Sequence, residues 1–287
     1  MRYIILFIII CCTTTQVQCQ YSIPSESLSY SVLISIKSGN NEFCGSGFFI
    51  SDSSSLYLVT AKHVLLNENI NSKTNQINYS LIDTCADVFY YPRKTDKNPP
   101  NILTLDLGGL YKSGNFKIST DKDVVVARIG INSEIGYKHV EYNDYVTKRS
   151  NTSSINFFII DDIKKFESIE IGNDVFIFGY PKSLGMSNNP QYDFNRPLLR
   201  KGSIAGKNQT LKTIVLDCPS YGGNSGGPVI EFTRERPYLV GLVVEFIPFE
   251  EKWLNLNYKI VNIDYLNSGY SVIVPMDYVL ELMKMFK

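Results

Sequence analysis

The sequence predicts an all-β protein of barrel or sandwich type, with one helix at its C-terminal end. Short apolar or β-branched runs of four to eight residues recur along most of the chain, and Gly, Asn, Ser, Asp and Pro separate them. Helical periodicity is confined to the last segment, where Met276, Val279, Leu280 and Met283 fall on one face.

In chain order the expected strands are Ser31 to Ile36, Gly47 to Ile50, Tyr57 to Thr60, Asp87 to Tyr91, Ile102 to Leu107, Val124 to Ile129 and Ile155 to Ile160. Beyond them come Asp174 to Gly179, Leu199 to Ile204, Thr213 to Asp217, Pro228 to Ile230, Leu239 to Phe246 and Tyr270 to Val274. Asn67 to Asn78, Tyr91 to Asn101 and Gly185 to Asn195 read as surface loops. The polar, weakly patterned stretch Gly136 to Ser154 reads as the crossing between an N-terminal unit, 20–140, and a C-terminal unit, 155–287. The helix at 276–286 has Asp277 in its first turn and Lys284 near its end, the charge order its dipole favours, and its stripe is expected to pack on a barrel.

With 287 residues, 44% hydrophobic and 20% charged, the chain is long enough for two cores and is not of disordered composition. Lys+Arg and Asp+Glu both number 28, so there is no net field to draw in nucleic acid or an anionic membrane, and nucleic-acid binding is excluded as a class.

The first residues differ from the rest. Arg2 precedes an unbroken apolar run from Tyr3 to Cys12, followed by polar Thr13 to Gln20. That run is well short of the roughly 20 residues that span a bilayer. It reads as a secretory signal peptide over residues 1–19, giving a secreted or periplasmic protein with no stable membrane span after removal. Of six cysteines, Cys44, Cys85 and Cys218 then remain, which allows at most one internal disulfide, its pairing open. Without a Cys-x-x-Cys or Cys/His cluster, no metal site is expected.

The most unusual stretch is Tyr221-Gly222-Gly223-Asn224-Ser225-Gly226-Gly227-Pro228, one hydroxyl residue boxed in by glycines. Glycine accepts positive φ and carries no Cβ, so successive amides can point at one spot before Ser225 Oγ. An oxygen nucleophile beside such donors suits acyl transfer, although Gly-Asn-Ser also serves as a plain loop between strands. A base and an orienting acid are then required. The chain has only two histidines. His63 follows an apolar strand and small Ala61, whereas His139 lacks both features and reads as a surface residue. Imidazole, with a pKa of about 6.5, takes and returns a proton near neutrality. For the acid, Asp123 stands at the mouth of Val124 to Ile129, with Asp121 and Asp106 as fallbacks.

Gly223-Asn224-Ser225-Gly226-Gly227-Pro228 with Val229-Ile230 after it resembles the nucleophile segment of the trypsin-like, chymotrypsin-fold serine proteases. Gly45-Ser46-Gly47-Phe48-Phe49-Ile50-Ser51 and Leu58-Val59-Thr60-Ala61-Lys62-His63-Val64 resemble the strand pair before the base in bacterial trypsin-like and HtrA/Deg-type members, and Asp123-Val124-Val125-Val126-Ala127 resembles the acid segment. Gly179-Tyr180-Pro181, Gly241 to Val244 and Gly269 to Val279 extend the resemblance to about 31–286. It implies two six-stranded antiparallel barrels with the site between them, a His63–Asp123–Ser225 triad in chymotrypsin order and an oxyanion hole of the Gly223 and Ser225 amides. The implied reaction is peptide hydrolysis through an acyl-enzyme on a polypeptide substrate, with no cofactor, by a peptidase unit without a PDZ domain. The sequence leaves the oligomeric state open.

There are departures from the family pattern. Pro219 stands where trypsin has an acid, so preference for Arg or Lys is not supported, and Val244, Glu245 and Phe246 fall on the segment expected to line the substrate. Val125 replaces a common alanine. The alternative reading is a catalytically inactive binding or surface protein that keeps the fold. Asn78, Asn151 and Asn208 are glycosylation sequons that matter only in a glycosylating host. Asn224 stands where zymogen-activated relatives carry an aspartate that pairs with a freed N-terminal amine, and a neutral amide gains no such ion pair. Signal-free chain is therefore expected to turn over substrate as fast as chain trimmed further; turnover by the trimmed form alone would contradict this.

Overall fold

A computed structural model describes residues 23–70, 77–91, 99–132, 140–149, 155–182, 191, 193, 196–234, 236–255 and 258–286. The expected signal peptide, His139, Asn151 and most of Gly185 to Asn195 lie outside these residues. The first half runs β1 (Ser31–Ser38), β2 (Asn41–Ser51), β3 (Ser55–Thr60), the single turn α1 (Lys62–Leu65), β4 (Leu66–Ile70), β5 (Ile77–Leu81), β6 (Cys85–Tyr90), β7 (Asn101–Asp106), α2 (Leu107–Lys112), β8 (Phe116–Ile118), β9 (Val125–Asn132), β10 (Val140–Tyr142) and β11 (Val146–Lys148). The second half runs β12 (Phe158–Ile159), β13 (Asp174–Gly179), β14 (Leu198–Asn208), β15 (Thr213–Asp217), β16 (Pro228–Phe232), β17 (Pro237–Leu254), β18 (Ile260–Pro275) and α3 (Asp277–Met283).

The chain is all-β with two barrels. The second is a closed six-stranded barrel in the order β13-β14-β15-β18-β17-β16. The first is a ten-stranded sheet with the path β10-β9-β3-β2-β1-β6-β7-β11, to which β8 adds on β9 and β12 on β2. Its two ends, β10 and β11, are consecutive strands separated only by residues 143–145, so the sheet curls until its ends lie side by side. The first barrel thus has more than the six strands the sequence suggested, because short pieces cap its ends.

Three cores follow from the two-residue period of the strands. In β2, Phe49 faces the core inside the first barrel while Phe48 and Ile50 face outward. In β3, Leu56 and Leu58 point in, and Tyr57 and Val59 point out. In β13, Val175 and Ile177 fill the second barrel while Phe178 points out. The outward residues of both barrels meet in one shared core, with Val124, Val126, Ile230, Leu239, Leu242 and Met276. Strands buried on both faces carry nearly continuous apolar runs, which is why these segments stand out in the sequence.

The C-terminal helix is shorter than its periodicity suggested, and its buried residues are Val279, Leu282 and Met283, with Leu280 only partly covered. It seals the shared core, and Asp277 Oδ2 accepts a bond from Phe166 N at 2.8 Å.

Several sequence expectations need correction. Asn67 to Asn78 is not simply a loop, since β4 and the start of β5 occupy its ends and pair. The crossing at Gly136 to Ser154 contains β10 and β11, so the first sheet runs past residue 140 to Lys148. The strand expected at Ile155 to Ile160 shrinks to two residues, pairing in parallel with β2. Such short strands have too few residues to display a period. Cys44, Cys85 and Cys218 are free thiols.

Beyond the barrel, β17 and β18 continue together as a long two-stranded ribbon, paired from Pro248–Asn267 to Leu254–Ile260. Phe249, Trp253, Leu254, Val261 and Tyr265 are more than half exposed on it.

Phe158 is the aromatic keystone of the shared core: it is 1% exposed, stacks on Tyr30 at 4.4 Å and meets Phe48 edge-on at 6.0 Å. Truncating a buried phenylalanine costs about 3–5 kcal/mol. Urea unfolding of Phe158→Ala is expected to show a loss of that order, and a change within about 0.5 kcal/mol would mean the barrels do not depend on this core.

Candidate active site

His63 and Asp123 are brought together by strand register. The last residue of β3, Thr60, pairs with the first residue of β9, Val125. In an antiparallel pair the chain just after one strand lies beside the chain just before the other, so His63, three residues on, faces Asp123, two residues back. His63 Nδ1 lies 2.6 Å from Asp123 Oδ2, and the backbone N–H of His63 donates to Asp123 Oδ1 at 3.1 Å. An ionised carboxylate only accepts, so the contact assigns the proton to Nδ1 and leaves the lone pair of Nε2 outward. The side chains are 50% and 32% exposed, open enough to meet a substrate.

The fallback acids do other work. Asp106 caps α2, accepting from Gly109 N at 2.8 Å, and Asp121 accepts from Thr120 Oγ1 at 2.8 Å. Neither is bonded to His63.

Burial pulls the His63 imidazole down, but the hydrogen bond and charge of Asp123, aided by the charge of Glu245, outweigh it and hold the pKa above the usual 6.5. Glu245 is exposed and follows the bulge at Val244 in β17.

Ser225 sits in the turn between β15 and β16. Asn224 N–H donates to Tyr221 O at 2.9 Å, Gly226 N–H to Val243 O at 2.7 Å and Gly227 N–H to Asn224 O at 2.9 Å. Among the described residues no protein acceptor takes the N–H of Gly223 or of Ser225. Glycine is required here. Gly223 has φ +99°, and a Cβ on it would meet Tyr180 O at 2.2 Å. Gly226 has φ +82°, and a Cβ there would lie 2.1 Å from Thr60 Oγ1 and 2.9 Å from Ala61 N. The Ser225 loop is therefore pressed against the segment just before His63. Among the described residues no hydrogen bond joins Ser225 Oγ to His63.

Ser46, which sequence reasoning did not single out as a functional residue, fastens that loop to the first barrel. It is fully buried, its N–H donates to Ser225 O at 2.8 Å and its hydroxyl to Gly223 O at 2.6 Å. Its Oγ accepts from Tyr180 N at 2.9 Å and its carbonyl from Thr60 Oγ1 at 2.7 Å. The only signal available was a buried-strand serine between Gly45 and Gly47.

The remaining sequence candidates differ in access. Phe246 is 39% exposed and Pro219 is half-buried beside Ser220, whose carbonyl accepts from Asn267 Nδ2 at 2.5 Å. Val244 is half-buried and packs against both the first core and the shared core, which commits its side chain to packing. A cavity of about 550 Å³ adjoins Gly222 and Gly223 on the side of the β1–β2 hairpin, lined by Leu33, Glu42, Phe43, Cys44, Phe89 and Lys182 among others. No group of three or more His, Cys, Asp or Glu among the described residues is placed to hold a metal ion.

Two β-barrels sharing a core, with a histidine–aspartate pair on one and a glycine-boxed serine on the other, define the chymotrypsin-fold class. A family model for the trypsin-like peptidase domain matches residues 45–242, and the chain belongs to that family. Among solved structures it is similar to the MamO protease domain from Magnetospirillum magneticum, with 13% identity over 90% of this chain and 98% of that one and a TM-score of 0.48. It is also similar to the serine endoprotease from Yersinia pestis, at 16% identity, 92% and 67% coverage and a TM-score of 0.47. A third is the HtrA-type protease AlgW with tripeptide, at 14% identity and a TM-score of 0.46, where 91% of this chain covers 63% of that one. No curated protein matches the chain.

A histidine must be neutral to act as a base, so activity dependent on His63 is lost as pH falls through its raised pKa. The acid limb of kcat/KM is expected above 6.5, and Glu245→Gln moves it to lower pH because one of the charges favouring the protonated ring is gone. A limb that stays in place would remove Glu245 from the groups acting on His63.

Proposed function

We propose that this chain is an exported serine endopeptidase that hydrolyses polypeptides through an acyl-enzyme on Ser225. The observation that carries the reading is convergence at one point of the barrel interface. The His63–Asp123 contact at 2.6 Å stands just past Thr60 and Ala61, the same residues against which Gly226 is packed. Membership of the trypsin-like peptidase family supports it independently.

In this mechanism Ser225 Oγ attacks the scissile carbonyl carbon while His63 Nε2 takes its proton. The carbonyl oxygen becomes an oxyanion and is held by the N–H groups of Gly223 and Ser225, whose donors no protein acceptor claims among the described residues. Asp123 keeps the imidazole in the Nδ1–H tautomer and stabilises the imidazolium. His63 then gives the proton to the leaving amine as the C–N bond breaks, leaving an ester on Ser225. Water attacks the ester, its proton passes to His63 and returns to Ser225 Oγ, and the acid product departs.

For the substrate, β17 leaves its partner β16 after Leu242, so the edge from Val244 to Phe246 is available to pair with an extended peptide. Glu245 and Phe246 line that edge, and Pro219 replaces the acid that would select Arg or Lys. The cavity beside Gly222 and Gly223 would seat residues after the cleaved bond. Export rests on the apolar run at Tyr3 to Cys12, and the two barrels, the first with its sheet running to Lys148, act as one peptidase unit across the shared core.

A fluorophosphonate is expected to label the folded wild type, and Ser225→Ala is expected to abolish labelling and to lower kcat by about 10⁴-fold or more. Folded, unlabelled wild type would overturn the peptidase reading in favour of an inactive binding protein.

A further inference from the structure

Lys62, immediately before His63, is a buried cation that the mechanism above does not use. Only 6% of it is exposed. Its ammonium donates to Ser119 O at 2.9 Å and to Tyr79 OH at 3.1 Å, and it lies 4.3 Å from the centroid of the Tyr79 ring. Among the described residues no carboxylate lies within ion-pair distance of it. Burying an ammonium against neutral acceptors alone is costly, and an apolar side chain of similar length would usually fold as well or better. Stability is therefore a poor account of this lysine, whereas its bonding pattern gives a good one.

Ser119 opens the loop that ends in Asp123. Ser119 N donates to Val124 O at 3.0 Å, Lys122 N to Ser119 Oγ at 3.2 Å and Val124 N to Lys122 O at 2.9 Å, so the loop is a closed, self-bonded turn. From the other side Lys122 Nζ donates to Leu211 O and stands 5.3 Å from the Tyr278 ring, which fixes the turn against the second barrel. Lys62 is the attachment from inside the first barrel, and it belongs to the same helical turn as His63.

We propose that Lys62 is a positioning residue for the His63–Asp123 pair, fastening the turn that carries the base to the loop that carries the acid. A contact as short as 2.6 Å depends on both backbones being fixed, and misplacement by about 1 Å can cost 10²-fold in rate. The charged groups that act on the His63 ring are Asp123 and Glu245, and Tyr79 is the titratable group that faces Lys62. The catalytic consequence rests on the triad reading above. The ring's own titration does not, because it is read in the folded protein whether or not that protein turns over substrate.

The test compares wild type with Lys62→Met in two measurements: NMR titration of His63, including its downfield Nδ1 proton, and steady-state kinetics. The variant is expected to keep its thermal midpoint within about 5 °C. Its His63 midpoint is expected to move to lower pH as the Asp123 bond loosens, with kcat falling about 10–100-fold at unchanged KM. A folded variant with the wild-type titration overturns the proposal, whether kcat holds or falls, because Lys62 would then not act through the pair. If wild type proves inactive, the peptidase reading fails while the titration still decides the role of Lys62. Should Lys62→Met not fold, Tyr79→Leu removes the ring and hydroxyl from the ammonium on a half-buried hairpin position. It carries the same decision with a smaller shift in the same direction.

Discussion

The pairing of Thr60 with Val125 is the constraint on which the rest of the site depends. His63 and Asp123 are each delivered by the end of a strand whose partner is already chosen, and their two mutual hydrogen bonds follow from that delivery. That choice is enforced from both faces. A slip of one residue between β3 and β9 would turn Leu58 and Ala127 out of the first core and Val59 and Val126 out of the shared one. The placement of the His63–Asp123 pair thus starts from packing that the two cores already require.

The Ser225 loop has no such strand end to rely on. Its position comes from Ser46, which binds Ser225 and Gly223 through separate atoms and is itself held by Thr60 and Tyr180. One buried serine therefore touches both barrels and the loop between them. Every polar atom of Ser46 is engaged, so it adds no unpaired group to the interior. Gly223 and Gly226 then allow the backbone to approach closer than any Cβ would permit.

How far the sequence could be read varied with how each element is buried. β3, β9 and β13 lie between two cores, so Leu58-Val59, Val125-Val126 and Ile177-Phe178 stand out as apolar runs. Ser225, His63 and Asp123 could be nominated because each lies beside such a run or within a glycine cluster. β10 and β11, with three residues each, show no period and passed for a crossing. In the last helix the apolar stripe was visible but its centre was not, since Leu282 is buried in the shared core while Leu280 packs only at its margin. Ser46 and Lys62 were out of reach for a different reason. Their meaning lies in partners 177 and 57 positions away, Gly223 and Ser119, which no local pattern encodes.

The ribbon formed by β17 and β18 beyond Pro248 has a consequence for how evenly the fold is held together. Its residues from Phe249 to Leu254 are exposed along both faces, so little beyond the ladder itself and cross-strand contacts such as Trp253 Nε1 to Asp264 Oδ2 at 2.8 Å supports it. An isolated two-stranded ladder has far less cooperative support than a closed barrel, and regions of this kind open sub-globally at a small fraction of the full unfolding free energy. Amide protons of the ribbon will accordingly exchange with deuterated solvent well before those of β13 or β16, although all four strands belong to one continuous hydrogen-bonded sheet.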